Sequence, residues 1–153
     1  MSLEKIINDA WEIKDQISPS SDPKLKDAIN HCKSHSLNKK IFNETDILVT
    51  EFIIKSLGNF VTTSRTKKIE AIGYPGITVI HNPNGRISKT LGDSSTIAKT
   101  LKIRVVADFR QSDMKCGGQG APVATYFYEY ISMTANNFIN FINLGGFANL
   151  TYR

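Results

Sequence analysis

The residues best suited to chemistry lie in one stretch, positions 105–122, which reads VVADFRQSDMKCGGQGAP. Asp108, Arg110 and Asp113 follow an apolar run, and a glycine cluster (Gly117, Gly118, Gly120) closes at Pro122. Carboxylates accept hydrogen bonds from hydroxyls or amides, and a guanidinium forks onto oxygen acceptors. A strand ending in such a loop aims these groups while leaving them reachable. Asp108 and Arg110 read either as groups that order a ligand or as an ion pair tying the loop down. Asp113 reads as a hydroxyl acceptor or as a cap on the glycine loop. The glycines serve backbone shape first. Gln119 is the better contact candidate, because its amide both donates and accepts.

Other reactive side chains read more simply. Asp93 follows Gly92 at a helix start, where a capping carboxylate is expected. His31 and His35 stand four apart but lack a cysteine or carboxylate partner at useful spacing, so no metal site is expected. Cys116 reads as a small packing side chain rather than a nucleophile. Cys32 and Cys116 lie far apart without metal spacing, which suits free thiols in a reducing compartment.

The elements that would position these groups follow from periodicity. Leu3, Ile6, Ile7, Ala10, Ile13 and Ile17 mark one face of an amphipathic helix over 3–17. Residues 18–23 break it, and a short helix follows over 24–33. The run 45–60 is apolar at helical spacing, with Asn43 and Asp46 as its start signal. Residues 61–68 read as a basic loop. Residues 69–74 read as a strand, and 78–81 and 86–91 flank Asn82-Pro83-Asn84-Gly85, a hairpin turn. A helix over 94–101 and a buried strand over 104–107 precede the glycine loop. A helix over 124–133 follows it, its aromatics Tyr126, Phe127 and Tyr130 expected to pack. Residues 138–144 and 147–152 read as a strand pair turned at Gly145 and Gly146. Strands alternating with helices imply an α/β fold with a mixed sheet and flanking helices. The division is a helical segment over 1–60 and an α/β lobe over 61–153, one domain overall.

The chain has 153 residues, 41% of them hydrophobic, and a net charge of +5. That length fits a single domain. The lysines are scattered rather than gathered into a stripe, so nucleic-acid binding is not expected. No apolar run approaches the roughly 20 residues of a membrane span, and no signal peptide is visible. A cytoplasmic protein is expected.

The stretch 105–122 resembles the VVADFR…D…GGQGAPL signature of the anhydro-N-acetylmuramic acid kinases. Residues 143–151, NLGGFANLT, resemble that family's NIGGIANLT element, at the right spacing. Residues 71–83, AIGYPGITVIHNP, are similar to AIGSHGQTVRHxP, and residues 91–110 follow IGDPALIAxxTGIPVVADFR. The match covers residues 69–151, the 45–60 helix agrees in position, and residues 1–20 match only weakly. Ordered long motifs are far more specific than a lone glycine pattern. The resemblance implies the sugar-kinase, heat-shock-protein-70 and actin superfamily, with two ribonuclease-H-like lobes and ATP and magnesium between them. It implies cleavage of the 1,6-anhydro ring and phosphorylation of the 6-oxygen in peptidoglycan recycling. Asp108, Arg110, Asp113, Gln119 and His81 are then candidates for contact with a muramyl sugar. For His81, a solvated hairpin position is the plainer reading.

Several family features are not found in the sequence. The phosphate-binding pattern GTMSGTSLDG does not occur, and neither does GFDTGPGN, which carries the family's catalytic aspartate. The chain stops at Arg153 within the last strand pair. No catalytic residue is therefore expected within the chain, and the lobe is expected to be incomplete. Tyr74-Pro75-Gly76-Ile77-Thr78 stands where the family has Ser-His-Gly-Gln-Thr, replacing an imidazole and an amide by groups without side-chain hydrogen bonds. Ser112 stands where many members carry a basic residue, and Ser94 where the family has proline. The resulting expectation is a kinase fragment inactive by itself that needs a complementary chain. The alternative is a non-enzymatic remnant or muramyl-sugar-binding module. Whether these residues act as an enzyme stays open at this point. An unpaired sheet edge would also favour self-association.

Overall fold

The computed structural model describes residues 22–63, 69–133, 140–144 and 148–152. The amphipathic pattern over 3–17 lies outside the described residues.

Helix α1, Pro23–Ser34, starts at Asp22, whose carboxylate accepts the amides of Lys24 (3.0 Å) and Leu25 (3.2 Å). Pro23 occupies the first turn, where its missing N–H costs nothing. Leu25, Ile29 and Cys32 fall on one face and are buried. Helix α2, Lys39–Thr63, is longer than its apolar pattern indicates. Asn38 accepts the amides of Lys40 and Ile41, so the start lies upstream of Asn43. Asn43 and Asp46 sit inside the helix, and the carboxylate of Asp46 is committed elsewhere, to Gly92.

Strand β1, Ala71–Gly73, pairs in parallel with β4, Arg104–Val106, in the register Ala71↔Arg104 to Gly73↔Val106. Between them come the antiparallel hairpin of β2, Ile77–Asn82, and β3, Ile87–Leu91, and helix α3, Ser94–Leu101. The hairpin turn forms where its sequence indicates. Asn82 accepts the amide of Gly85 at 3.0 Å, and Arg86 adopts a left-handed φ of 51°. Helix α4, Phe109–Lys115, and helix α5, Thr125–Ser132, bracket the glycine loop. Strands β5, Asn140–Leu144, and β6, Ala148–Tyr152, pair antiparallel with Asn143 opposite Asn149.

The expected single mixed sheet is not formed by the described residues. They hold three separate two-stranded pairs. After β1, Pro75 offers no amide and Gly76 turns at φ 70°, so the β1 ladder ends and the hairpin departs on its own. The α/β class stands.

The core joins α1, α2 and the hairpin. Leu25, Ile29, Cys32, Val49 and Leu91 are buried together, with Ile53, Ile77 and Val79 packed against them. Helix α5 departs from expectation. Tyr126, Phe127 and Tyr130 are 70%, 61% and 71% exposed, so they do not pack as their hydrophobicity suggests. Helical periodicity puts those three on one side and Tyr128 and Ser132 on the other. The inward side is the one that docks, with Tyr128 stacked on Phe141 at 4.5 Å. No helix among the described residues is long and apolar enough to cross a membrane.

Candidate functional site

The glycine loop is clamped by helix α4. Arg110 and Asp113 stand three apart on one helical face, one turn above the other. Asp113 Oδ2 accepts the amide of Gly120 at 2.7 Å. Arg110 Nη1 donates to the carbonyl of the same Gly120 at 2.8 Å. Gly120 is buried, so both of its backbone polar groups need partners, and α4 supplies both. Arg110 thus turns to the loop rather than to Asp108. Among the described residues the one side-chain ion pair is Lys40–Glu44, at 4.0 Å, so the Asp108–Arg110 pair, one of the two sequence readings, does not form.

The glycines serve this close approach. A methyl group on Gly118 would sit 2.1 Å from Asp113 Oδ2, and Gly117 and Gly120 adopt φ of 95° and 71°. Asp113 is therefore the cap of the loop. Asp108 begins α4 in the left-handed conformation at φ 59°, and its carboxylate caps none of the helix amides. That leaves an exposed carboxylate beside a shallow depression shared with Pro75, Ser88, Thr90, Phe109, Arg110 and Gln111. Gln119 is exposed at the loop tip. Cys116 ends α4 and is exposed rather than packed, because its amide closes the last helical turn and its side chain projects outward.

His81 is exposed on β2, as a hairpin position suggests, yet it also borders the loop. A methyl on Gly120 would lie 3.1 Å from His81 Cε1. The structure therefore brings the His81 ring and the glycine loop together across 39 residues of sequence. The His31 and His35 rings lie tilted at 37° with centroids 4.4 Å apart, and no group of three metal-ligating side chains occurs among the described residues.

The loop amides also bear on nucleotide binding. Gly117 N donates to Met114 O, Gly118 N to Asp113 O, and Gly120 N to Asp113 Oδ2. A phosphate cradle needs amides free to point at the anion. These are already engaged inside the loop, so it does not fit the ATP phosphates. The loop exposes the side chain of Gln119 instead, and Asp108 is exposed at the start of α4; both suit hydroxyl and amide groups.

A second cluster, largely unforeseen from sequence, centres on residues 91–93. Tyr74 is buried and donates its hydroxyl to Leu91 O at 3.0 Å. Asp46 accepts the amide of Gly92 at 2.7 Å, and Thr50 Oγ1 accepts that of Asp93 at 2.8 Å. Helix α2 and the segment after β1 thus grip the 91–93 turn, from which Asp93 caps α3 through the amides of Ser95 and Thr96. Gly92 leaves room for Tyr74, since a methyl there would fall 1.9 Å from the phenol oxygen. Burial, then the nearby Asp46 charge, pushes the Tyr74 phenol up to about 12. Burial also raises Asp46, against the lowering effect of the Gly92 amide. The Thr96 hydroxyl holds Asp93 below its ordinary value, more strongly than its slight burial raises it, and the Ser95 and Thr96 amides add to the lowering. The sequence signals for this cluster were the Gly92–Asp93 helix start and the replacement of the family's serine by Tyr74.

The fold and site together describe an α/β chain whose glycine loop is clamped by helix α4 beside the exposed side chains of Gln119 and His81. The family sequence model for anhydro-N-acetylmuramic acid kinase matches residues 5–152. The chain belongs to that family. It is 34% identical to the anhydro-N-acetylmuramic acid kinase of Sulfurimonas denitrificans over 155 aligned residues, covering 99% of this chain and 42% of that protein. It is 47% identical to the kinase of Sulfurovum sp. over 56% of this chain and 24% of that one. A Coxiella burnetii kinase is 39% identical over 71% of this chain and 30% of its own length. The chain thus spans about two fifths of the Sulfurimonas relative. Family similarity reaches back to residue 5, well beyond the 69–151 stretch and into the segment whose motif match is weak.

Proposed function

We propose that this chain forms the sugar-facing wall of a kinase acting on anhydro-N-acetylmuramic acid, within a ribonuclease-H-like lobe. In that reaction water adds at the anomeric carbon and the 1,6-bridge opens. The released 6-oxygen takes the terminal phosphoryl group of ATP, and ADP leaves. The observation that supports this reading is the α4 clamp. Arg110 and Asp113 are committed to holding Gly120, which leaves Gln119 and His81 exposed at one shaped loop and Asp108 exposed at the start of the helix that clamps it. Their role is to hold the hydroxyl, ether and acetamido groups of a muramyl sugar. The ATP phosphates and magnesium belong to residues other than this loop, because the amides of its three glycines are occupied. Turnover accordingly requires the remaining length of a family kinase, wherever that length is encoded, and these 153 residues alone bind without reacting.

The test mixes the chain with ATP, magnesium and anhydro-N-acetylmuramic acid, alone and with the complementary portion of the Sulfurimonas kinase. Phosphorus NMR follows the sugar 6-phosphate. Product is expected only in the mixture, with millimolar sugar binding by the chain alone. Product from the chain alone overturns the division of labour. No sugar binding and no product in either arm overturns the whole reading.

A further inference from the structure

We propose that Gln111 is a positioning residue that sets the spacing between the His81 hairpin and the glycine loop. Gln111 lies on α4 between the two clamp residues but points the other way. Its Oε1 accepts the amide of Ser88 at 3.0 Å, and its Nε2 donates to Arg86 O at 3.2 Å. One side-chain amide therefore occupies both a donor and an acceptor at the start of β3, as a neighbouring strand would. The hairpin has no strand partner besides itself among the described residues. These two bonds tie its turn end to the helix that also carries the loop clamp.

The geometry makes α4 a common bracket. From consecutive positions, Arg110 holds Gly120 and Gln111 holds Arg86 and Ser88. His81 pairs with Ser88 across the hairpin, so the residue gripped by Gln111 is the direct cross-strand partner of His81. Ser88 adds a bond from its hydroxyl to Ile80 O. The connection runs from Gln111 to Ser88, to His81, to the edge of Gly120. Arg86 strengthens the case. A non-glycine residue at φ 51° is costly unless its neighbours hold it, and Gln111 takes its carbonyl. Gln111 touches no reacting atom. It registers one side of the proposed sugar wall against the other, and this functional consequence rests on the muramyl-sugar reading.

The test uses the full chain and Gln111→Ala, with proton NMR and anhydro-N-acetylmuramic acid as the probe. The native chain is expected to show a nuclear Overhauser signal between His81 Hε1 and the Gly120 α-protons. In Gln111→Ala that signal is expected to vanish while the amides of α4 keep their native shifts. The same variant is expected to bind the sugar roughly fivefold more weakly, the loss of about one net hydrogen bond. Gln111→Glu keeps the acceptor for Ser88 and loses the donor to Arg86, so its signal is expected to survive at reduced intensity. A full-strength signal in Gln111→Ala overturns the proposal, as does a vanished signal with unchanged sugar affinity. If the signal vanishes in Gln111→Ala and the native chain binds no sugar, the bracket is upheld and the sugar reading is overturned instead.

Discussion

At the scale of single residues, the site depends on which polar groups are already satisfied. Asp113 offers two carboxylate oxygens, and one is given to a buried amide. Asp113→Ala is expected to cost about 1–3 kcal/mol, because Gly120 N would stay buried without a partner. Faster hydrogen exchange at the Gly120 amide, with α1 and α2 unchanged, checks it. Gly92 is the tightest position beside the core. Gly92→Ala combines a clash with the Tyr74 phenol and a backbone at φ 96°, so a loss of at least about 2 kcal/mol is expected. The double variant with Tyr74→Ser removes the clash and keeps the backbone strain. Gly92→Ala is therefore expected to cost less in the Tyr74→Ser background than in the native one by denaturant titration, and an equal cost in both would mean the phenol is not what fills the space.

At the scale of elements, α2 and α4 are the two supports. Helix α2 carries Asp46 and Thr50 one turn apart, and both reach the 91–93 turn that launches α3. Helix α4 carries the loop clamp and the hairpin tie. Tyr74 closes the first support from the far side. Tyr74→Phe is expected to cost about 1 kcal/mol for the lost bond to Leu91 O. It is also expected to change the alkaline limb of stability. The phenol ionises near 10.0 in the unfolded chain and about 12 in the folded one, so the folded state binds more protons between those values. Stability contributed by this group is complete below about pH 10 and falls as pH rises toward about 12. The phenylalanine variant should lack that fall in melting experiments at high pH.

At the scale of the whole molecule, two carboxylates pull stability in opposite directions. Asp93, lowered when folded, contributes stability above its ordinary value of 3.8 that is lost as pH falls through the folded value. Asp46, raised when folded, contributes stability at low pH that is lost as pH rises through its folded value. Asp46→Asn keeps an acceptor for Gly92 N and removes the buried charge. It is expected to melt higher than the native chain at about pH 7 and to lose that advantage near pH 3. Asp93→Asn should melt lower at about pH 7 and converge with the native chain in acid. The exposed face of α5 bears on association: with Tyr126, Phe127 and Tyr130 all more than half exposed, sedimentation is expected to show concentration-dependent self-association. Substitution of all three by serine should abolish it.

Local chemistry was legible without the fold. The Asp93 cap, the Asn82–Gly85 turn, the α3 helix and the glycine loop depend on neighbours in sequence, and their residue types declare them. The family motifs singled out the same loop and its candidate sugar-binding groups. What sequence did not reveal was direction. Arg110 could face Asp108 or a ligand and instead holds Gly120, Asp113 could face a ligand or an amide, and the α5 aromatics could face either side. Each choice is made by a partner distant in the chain or by which helical face finds a surface to bury. Gln111 gave no signal in the sequence, and Tyr74 and Asp46 gave none of their partners, for the same reason. Their partners, Arg86 and Ser88, Leu91, and Gly92, lie 17 to 46 residues away, and only the packing of α2 and α4 against the hairpin brings them within hydrogen-bonding reach.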